Sequence, residues 1–297
     1  MKTFRHIHEL KQYLKQEHHK AAAEGKTLET GFVPTMGYLH EGHASLLREA
    51  RRNNDLVVLS IFVNPIQFGP NEDFERYPRN EEKDLQLAEA EGVDAVFLPS
   101  VEEMYPNPIL TKITVSQELT GGLCGASRPG HFDGVTTVVS KLFHIVEPDR
   151  AYFGQKDAQQ VAVITQMVAD LNIPVEIVPC PIQREGDGLA LSSRNVYLSP
   201  VEREAALVLS RSLLKLQDAV KSGQPLTAGA AKQTLLAAFS AVPLAIVDYV
   251  EVVHFPSLQP LNDDEEIFQS GDTLIAVAVK FGNTRLIDNV ILTRKGA

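Results

Sequence analysis

Apolar positions along the first 180 residues follow an order that predicts alternating helices and strands. They recur at helical spacing between Arg5 and Glu24, whereas residues 55–63 (DLVVLSIFV) are almost continuously apolar. Such a run is typical of a strand that is covered on both faces of a parallel sheet. The same reasoning predicts further strands at 30–34, 95–98, 149–153 and 174–180, a short edge strand at 112–115, and helices at 42–53, 81–91 and 132–145. Residues 154–160 lead into a further predicted helix that reaches Leu171.

The pattern changes beyond Pro200. Two amphipathic segments at 201–222 and 227–239 precede strand-like runs at 245–254, 273–281 and 285–292, and Gly282-Asn283 predicts a hairpin between the last two runs. Helices that are grouped before antiparallel strands indicate a separate α+β domain. We therefore expect an α/β domain with a parallel sheet over 1–182 and a smaller α+β domain with an antiparallel sheet over 183–297.

Composition restricts the class of protein. A hydrophobic content of 44% with 22% charged residues is ordinary for a soluble enzyme, and the net charge of −10 argues against nucleic acid as a partner. We expect no membrane span, because no apolar run approaches about 18 residues, and we interpret the N-terminus as a polar amphipathic helix of a cytoplasmic protein. Cys124 and Cys180 are isolated, so the sequence indicates neither a disulfide framework nor a cysteine-based zinc site.

Residues 33–48 read VPTMGYLHEGHASLLR and predict a strand, a tight turn and a helix start. Unpaired backbone N–H groups and the helix dipole favour an anion at such a helix start. His40 and His43 lie where bound phosphates would be. A zinc-hydrolase helix is disfavoured because it needs histidines at i and i+4, and a P-loop because His43-Ala44 replace its Lys-Ser/Thr pair. A pair of surface histidines at a helix cap remains an alternative.

Three later segments carry further candidate residues. Asn64 and Gln67 follow the strand at 55–63, where open parallel sheets bind ligands. The segment 154–160 (GQKDAQQ) repeats the order of strand end, glycine and helix start, so that Lys156 could contact phosphate and Gln160 a polar substrate. Residues 184–195 suit a flexible arm that folds over a triphosphate. The alternatives are turn-forming residues, helix caps and an interdomain linker, respectively.

Five blocks in this order closely resemble the pantoate–β-alanine ligase (pantothenate synthetase) family of the HIGH-motif nucleotidylyltransferases. They read PTMGYLHEGH, SIFVNPIQFGPNEDFERYPR, RPGHFDGV, FGQKDAQQ and DGLALSSRN. The resemblance covers essentially the whole chain, and the five blocks together are far more specific than HxGH alone. It implies a Rossmann-like N-terminal domain, a C-terminal lid domain and a cytoplasmic homodimer that uses ATP and Mg²⁺ to join pantoate to β-alanine.

The resemblance also implies roles for individual residues. It makes His43 a proton donor and places His40 beside it on the phosphates, assigns Gln67 and Gln160 to pantoate, with Gln67 also facing β-alanine, and puts Asn64 in the pantoate pocket. The residues that it places on ATP are Met36, Gly37, Tyr38, Leu39, His40, Glu41, Gly42, His43, Gly154, Gln155, Lys156, Asp157, Gln183, Leu191, Ser192, Ser193 and Arg194. The chain departs from common family residues at Tyr38, Gln155, Ala158 and Gln183, which affects expected affinity more than activity.

The implied reaction needs no covalent enzyme intermediate. The pantoate carboxylate would attack the α-phosphate of ATP, and the β-alanine amine would then displace AMP, with charge stabilised by His40, His43, Lys156, Arg194 and Mg²⁺. We leave the Mg²⁺ ligands unassigned: Asp84, Asp157 and Asp187 are possible, although Asp84 is interpreted as an ordinary surface carboxylate. The alternatives are a transferase that adenylylates a phosphorylated substrate and a non-catalytic nucleotide sensor.

Overall fold

The computed structural model describes residues 1–70, 72–268 and 271–293. The chain divides into two compact units. The first contains Met1–Val115, Pro129–Gln155 and Val163–Pro181, and the second contains Ser116–Arg128, Lys156–Ala162 and Ile182–Ala297. Two short segments from the first part of the chain therefore group with the second unit, whereas the sequence interpretation uses a single boundary at 182/183.

A six-stranded parallel sheet forms the first unit. Its strands are β1 (Lys2–Phe4), β2 (Thr30–Thr35), β3 (Leu56–Ile61), β4 (Ala95–Phe97), β5 (Arg150–Gly154) and β6 (Glu176–Cys180). Their spatial order is β1-β4-β3-β2-β5-β6, and every pairing is parallel. The chain thus extends the sheet first to one side of β2 and later to the other, which makes the junction of β2 and β5 a topological switch point. Ligands bind at the carboxyl ends of strands at such a point.

The longer helices of this unit follow the predicted periodicity, whereas the four-residue helix at Val101–Met104 is not predicted by it. They are α1 (Ile7–Ala23), α2 (Glu41–Asn53), α3 (Glu81–Ala90), α4 (Val101–Met104), α7 (His131–Val146) and the greater part of α8 (Ala158–Asp170). Fully buried Val33, Leu47, Leu59 and Val96 belong to one apolar cluster between helices and sheet. The predicted α/β class with a parallel sheet is confirmed.

Two predictions for the first unit are wrong. The N-terminus does not begin as a helix, because Lys2–Phe4 form strand β1 and pair with Ala95–Phe97. Residues 112–115 form no strand; the N–H groups of Ile113 and Val115 donate instead to the side chains of Thr137 and Asp133 on α7, at 3.0 Å each. The side chains of Thr137 and Asp133 thus accept the hydrogen bonds that the carbonyl groups of a neighbouring strand would accept in a sheet.

The second unit combines helices with a three-stranded antiparallel sheet. Its elements are α5 (Gln117–Thr120), α6 (Leu123–Ser127), α9 (Pro200–Lys221), α10 (Ala228–Ser240), β7 (Ala245–His254), β8 (Thr273–Phe281) and β9 (Thr284–Leu292). The strand order is β7-β8-β9, and Phe281 pairs with Thr284 across the predicted Gly282-Asn283 hairpin. Helix α6 lies within the glycine-rich residues 121–134 (GGLCGASRPGHFDG), a composition that by itself would indicate a mobile loop.

One face of this sheet packs against α9 and α10 in a cluster that includes Leu213, Leu235 and Val277. A separate cluster joins Leu274 and Ala276 to Leu123, Ala158 and Ala162. The grouping of the segments 116–128 and 156–162 with this unit follows from the second cluster. In the described part of the chain, no helix is long and apolar enough to cross a membrane.

Candidate active site

The turn between β2 and α2 has an unusual backbone that a buried carboxylate stabilises. Gly37 and Tyr38 both have positive φ, 82° and 52°, and the left-handed region is unfavourable for a tyrosine. Asp84 of α3 accepts the Tyr38 N–H at 2.8 Å and the Leu39 N–H at 2.6 Å, and the residue is 2% exposed. The two bonds fix the peptide groups that immediately precede His40.

The environment of Asp84 corrects the sequence interpretation. Asp84 is not a surface carboxylate, and its burial raises its pKa, although the hydrogen bonds from the Leu39 and Tyr38 amides act in the opposite direction. A β-carbon at Gly37 would lie 2.8 Å from the Ile61 side chain and 3.0 Å from an Asp84 oxygen. The residue at 37 therefore needs both the backbone freedom and the small size of glycine.

His40 and His43 cap the first turn of α2. Nδ1 of His40 accepts the Gly42 N–H at 3.1 Å, and Nδ1 of His43 accepts the His40 N–H at 3.3 Å. The ring centroids are 4.1 Å apart. The helix cap that the sequence left as an alternative is thus present, and it orients both imidazoles. Because Nδ1 is an acceptor in each ring, the neutral imidazole carries its proton on Nε2 and is a donor at that atom.

The side chain of Glu41, between His40 and His43 in the sequence, pairs with a cation instead of capping the helix. It pairs with Arg48, about two turns further along α2, and Arg48 also donates to Glu91 at 2.8 Å. The first turn of the helix therefore offers backbone N–H groups and the two imidazoles, while its carboxylate is neutralised by a guanidinium. This arrangement favours an anion at the N-terminus of α2.

Asn64 and Gln67 belong to one hydrogen-bonded network. Asn64 is 1% exposed, and its amide donates to Gln67 Oε1 at 3.0 Å and to the Gly134 carbonyl at 3.2 Å. The Tyr105 hydroxyl donates to Asn64 Oδ1 at 2.8 Å, and burial raises the pKa of Tyr105, which keeps that hydroxyl protonated. Both ends of the Asn64 amide are thereby occupied by protein, so Asn64 orients Gln67.

Gln67 in turn reaches the opening corner. Its Nε2 lies 3.3 Å from the sulfur of Met36, and its backbone carbonyl bonds to a ring nitrogen of His131 at 2.8 Å. Gly134 allows the turn at 65–67 to approach α7, since a β-carbon there would lie 2.5 Å from the Ile66 carbonyl oxygen. The structure therefore brings Met36, Gln67 and Asn64 together at the ends of the neighbouring strands β2 and β3.

Gly154 and Gln155 also lie at the carboxyl edge of the sheet. Gly154 ends β5, which pairs directly with β2, and a 3₁₀ turn at Gln155–Asp157 leads into α8. The first unit thus places the residues before His40 and the end of β5 at adjacent strand ends on the switch point. This is the position at which open parallel sheets bind nucleotides.

Lys156, Asp157 and Gln160 belong to the second unit. The ammonium of Lys156 lies 3.8 Å from an Asp157 carboxylate oxygen, and its side chain is 21% exposed. The Lys156 carbonyl accepts a hydrogen bond from Asn289 of β9 at 2.9 Å. Gln160 is half-buried, whereas the preceding residue, Gln159, is buried and bonds to the backbone of the 116–128 segment through Gly125, Leu119 and Gly122.

The 184–195 arm in the same unit is a braced structure rather than a plain linker. The Leu191 N–H donates to the Gln183 carbonyl at 3.0 Å, and Arg184 forms a bidentate pair with Asp288 at 2.7 and 2.9 Å. Ser192 accepts the Arg194 N–H at 3.3 Å and caps a 3₁₀ turn that contains buried Ser193. The expected flexible arm is therefore held by several hydrogen bonds, one of which uses the Gln183 backbone carbonyl.

The carboxylates provide no preformed metal cage among the residues that the structure describes. Asp84 uses both oxygens on the corner, and Asp187 pairs with Arg203 at 2.5 Å, which lowers the Asp187 pKa. Asp157 is 51% exposed. Sequence reasoning missed Tyr105, Gly134 and Asn289 as site-forming residues, because only the fold brings them to the candidate residues.

Comparisons with known proteins agree with the geometry. The family model described as pantoate-beta-alanine ligase matches residues 2–291. The chain is 59% identical over 262 residues to a pantothenate synthetase of Acetivibrio thermocellus, which covers 88% of this chain and 91% of the relative. It is 55% identical over 286 residues to that of Caldicellulosiruptor saccharolyticus, with 96% and 97% covered.

Solved structures give the same result. The pantothenate synthetase of Thermus thermophilus superposes with a TM-score of 0.88 at 48% identity and covers 98% of this chain and 99% of its own. A pantoate-beta-alanine ligase of Francisella tularensis, complexed with beta-gamma ATP and beta-alanine, has a TM-score of 0.77 at 35% identity, with 98% and 97% covered.

Proposed function

The chain belongs to the pantoate–β-alanine ligase family, and we propose that it makes pantothenate in two steps through a pantoyl-adenylate. It is an enzyme that joins pantoate to β-alanine, with ATP as the third substrate. The observation that carries this assignment is the arrangement of residues 36–43. These residues combine a helix N-terminus with two imidazoles that have Nε2 donors. The Gln67 amide contacts the same residues through the Met36 sulfur.

In the first step, a pantoate carboxylate oxygen attacks the α-phosphorus of ATP. The bond between that phosphorus and the oxygen that bridges the α- and β-phosphates breaks. Pyrophosphate leaves, and the pantoate acyl group is joined to AMP. In the second step, the neutral amine of β-alanine attacks the acyl carbon, AMP leaves with the bonding electrons of the acyl–oxygen bond, and the amine loses a proton. Alignment of the reactants and stabilisation of phosphate charge can supply the catalysis without a covalent enzyme intermediate.

His40 and His43 act on the phosphates in this proposal. Their Nε2–H groups donate to phosphate oxygens as negative charge moves onto the leaving pyrophosphate, and the backbone amides of the α2 start add further donors. The neighbouring residues 36–42 (Met36, Gly37, Tyr38, Leu39, Glu41 and Gly42) would bind ATP mainly through their backbone. Asp84 supports this role, since it fixes the Tyr38 and Leu39 peptides.

Gln67 and Gln160 hold pantoate in this proposal, and Gln67 also faces β-alanine. Asn64 contributes by orienting Gln67, because its own amide groups are used by Tyr105, Gln67 and Gly134. An amide offers a donor and an acceptor, which suits a substrate that has both hydroxyl and carboxylate groups.

The remaining proposed ATP contacts follow the family resemblance. Gly154 and Gln155 lie at the switch point of the sheet, and Asp157 follows them. In the second unit, Lys156 and Arg194 supply cations, Ser192 and Ser193 supply hydroxyls, and Gln183 and Leu191 contribute backbone. The Leu191–Gln183 bond supports a shared role for those two residues.

Mg²⁺ would enter with ATP. Mg²⁺ commonly takes most of its ligands from substrate phosphates and water, with one or two carboxylates, and the lack of a carboxylate cage in the described residues fits that mode. Its chemistry is to neutralise phosphate charge. Asp157, half-exposed beside Lys156, is the carboxylate that we propose for it.

We also propose the remaining family properties for this chain. They are an ATP- and pantoate-binding domain over 1–182, a lid domain over 183–297, a homodimeric state and a cytoplasmic location. The lid has a chemical purpose, since an acyl-adenylate hydrolyses readily and gains from exclusion of water. Light scattering of the purified protein measures the oligomeric state directly.

A single assay tests the reaction. AMP, pyrophosphate and pantothenate are measured with ATP–Mg²⁺, pantoate and β-alanine, each omitted in turn. We expect AMP release to require all three substrates. Pyrophosphate release that never depends on β-alanine, with no pantothenate formed, would indicate an adenylyltransferase, and no pyrophosphate under any condition would indicate a nucleotide sensor.

A further inference from the structure

Strand β9 contains two adjacent polar residues that are almost completely buried. Asp288 is 2% exposed and Asn289 is 3% exposed. Burying a carboxylate or an amide is unfavourable unless hydrogen bonds replace water. The partners of these two side chains therefore indicate what the residues are for.

Asp288 binds the start of the 184–195 arm. Its two oxygens accept the two terminal nitrogens of Arg184 at 2.7 and 2.9 Å, and Oδ1 also accepts the Asn289 backbone N–H at 2.8 Å. Arg184 donates in addition to the Gly188 carbonyl at 3.2 Å. A bidentate pair of this kind fixes orientation as well as distance. Asp288 thereby anchors the arm that continues to Arg194.

Asn289 binds the segment that contains Lys156. Its Nδ2 donates to the Lys156 carbonyl at 2.9 Å. This bond fixes the backbone from which the Lys156 ammonium projects, at the point where the 3₁₀ turn enters α8.

Successive residues of a strand point to opposite faces of the sheet. Leu286 and Val290 join the cluster that contains α9, α10 and Leu189, while Ile291 joins the cluster that contains Ala158. Asp288 therefore shares a face with the first cluster and Asn289 with the second. The two segments that carry Lys156 and Arg194 are held from opposite faces of one strand.

We propose that Asp288 and Asn289 are positioning residues that set the spacing of the two ATP-contacting segments of the second unit. The inference rests on the proposed function, in which Lys156 and Arg194 contact the phosphates. A rigid strand between the segments keeps their cations in place before ATP binds, and such preorganisation strengthens binding without adding a contact. In this proposal both residues act through the segments that they hold, and neither contacts ATP itself.

The experiment compares variants that loosen one segment at a time. Asn289→Ala removes the donor to Lys156, Asn289→Ser retains a shorter donor, and Arg184→Lys keeps the charge but loses the planar fork. Ile291→Ala is the matched control, because it lies on the same strand and face as Asn289 and weakens packing without touching the Lys156 carbonyl. Thermal unfolding verifies that each variant is folded.

Binding of a non-hydrolysable ATP analogue with Mg²⁺ is measured by calorimetry, and KM is determined for ATP and for pantoate. We expect Asn289→Ala and Arg184→Lys each to weaken analogue binding and to raise the KM for ATP by about two- to tenfold, the scale of one lost hydrogen bond. Asn289→Ser should be intermediate. The KM for pantoate should stay within about twofold of wild type, and Ile291→Ala should lower the thermal midpoint without changing analogue affinity.

Folded Asn289 and Arg184 variants that bind the analogue like wild type would overturn the positioning role. The same conclusion would follow if Ile291→Ala weakened binding equally, since the effect would then reflect general stability. A wild-type protein that binds the analogue but makes no pantothenate would contradict the proposed function and leave the binding comparison valid, so the two failures are distinguishable.

Discussion

Replacement of Asp84 by asparagine tests whether the buried carboxylate prepares the phosphate corner. The wild-type side chain accepts two backbone N–H groups at 2.8 and 2.6 Å. Asparagine has nearly the same shape, but only one of its terminal atoms is an acceptor, and its NH₂ group would face a backbone N–H. One hydrogen bond to a charged acceptor is therefore lost, and that bond contributes about 1.5–3 kcal/mol.

Part of that loss is recovered. Burial raises the Asp84 pKa, so ionisation of Asp84 is less favourable in the folded protein than in the unfolded chain, and a neutral amide avoids this difference. We expect a net loss of about 1–2 kcal/mol in the free energy of unfolding. At about 2–4 °C per kcal/mol, the thermal midpoint should fall by about 2–8 °C.

The effect on catalysis should exceed the effect on folding. Tyr38 and Leu39 directly precede His40, and a displacement of the order of 1 Å in a positioned group can reduce a rate by about 10²-fold. We expect kcat/KM for ATP to fall by about tenfold or more at a temperature where Asp84→Asn remains folded. Circular dichroism and the AMP-release assay measure the two effects separately.

Asp149→Asn is the matched control. Asp149 also accepts a backbone N–H of β2, that of Thr30 at 2.7 Å, but at the opposite end of the strand. It should retain wild-type kcat/KM. The reasoning would be refuted if Asp84→Asn lost stability as calculated but kept kcat/KM for ATP within about twofold of wild type.

Three further predictions concern single residues. His43→Ala should retain the fold but lower the rate of adenylate formation by about 10²-fold or more in single-turnover assays; near-normal formation would exclude its role. Tyr105→Phe leaves the Asn64 Oδ1 acceptor without its donor, so the KM for pantoate should rise by about two- to tenfold while that for ATP stays constant; the reverse pattern would contradict the network. Burial raises the Cys180 pKa to about 11. At pH 8 we therefore expect iodoacetamide to alkylate half-buried Cys124 in the native protein and Cys180 only after denaturation. If mass spectrometry found Cys180 labelled in the native protein, the burial argument would be wrong.

The sequence was sufficient to predict elements whose periodicity is set by burial. Strand β3 is an example, since it is covered on both faces and its continuous apolar run leaves little alternative. Strand β1 could not be predicted, because three residues that include Lys2 and Thr3 have no distinctive pattern and depend on β4 as a partner. Long-range pairing, rather than local preference, determines such short edge strands.

Some candidate site residues can likewise be found from the sequence, whereas others become apparent only in the fold. His40, His43 and Gln67 could be proposed from the sequence because they follow strand ends, where polar residues are conspicuous. Asp84 could not, since 46 residues separate it from Tyr38 and its neighbours in the sequence are charged residues on an exposed helix face. Only the packing of α3 against the corner distinguishes it from Glu81 and Glu82.

The two outer strands of the parallel sheet affect how copies of the chain behave towards one another. A strand at the margin of a sheet presents unpaired backbone groups that can pair with another molecule. On one side the margin is β1, which is only three residues long, and on the other it is β6, where Pro179 removes an N–H donor. Both features oppose sheet extension. Removal of residues 1–5 would uncover the apolar β4 and create an aggregation-prone margin, so expression of this enzyme should preserve its first five residues.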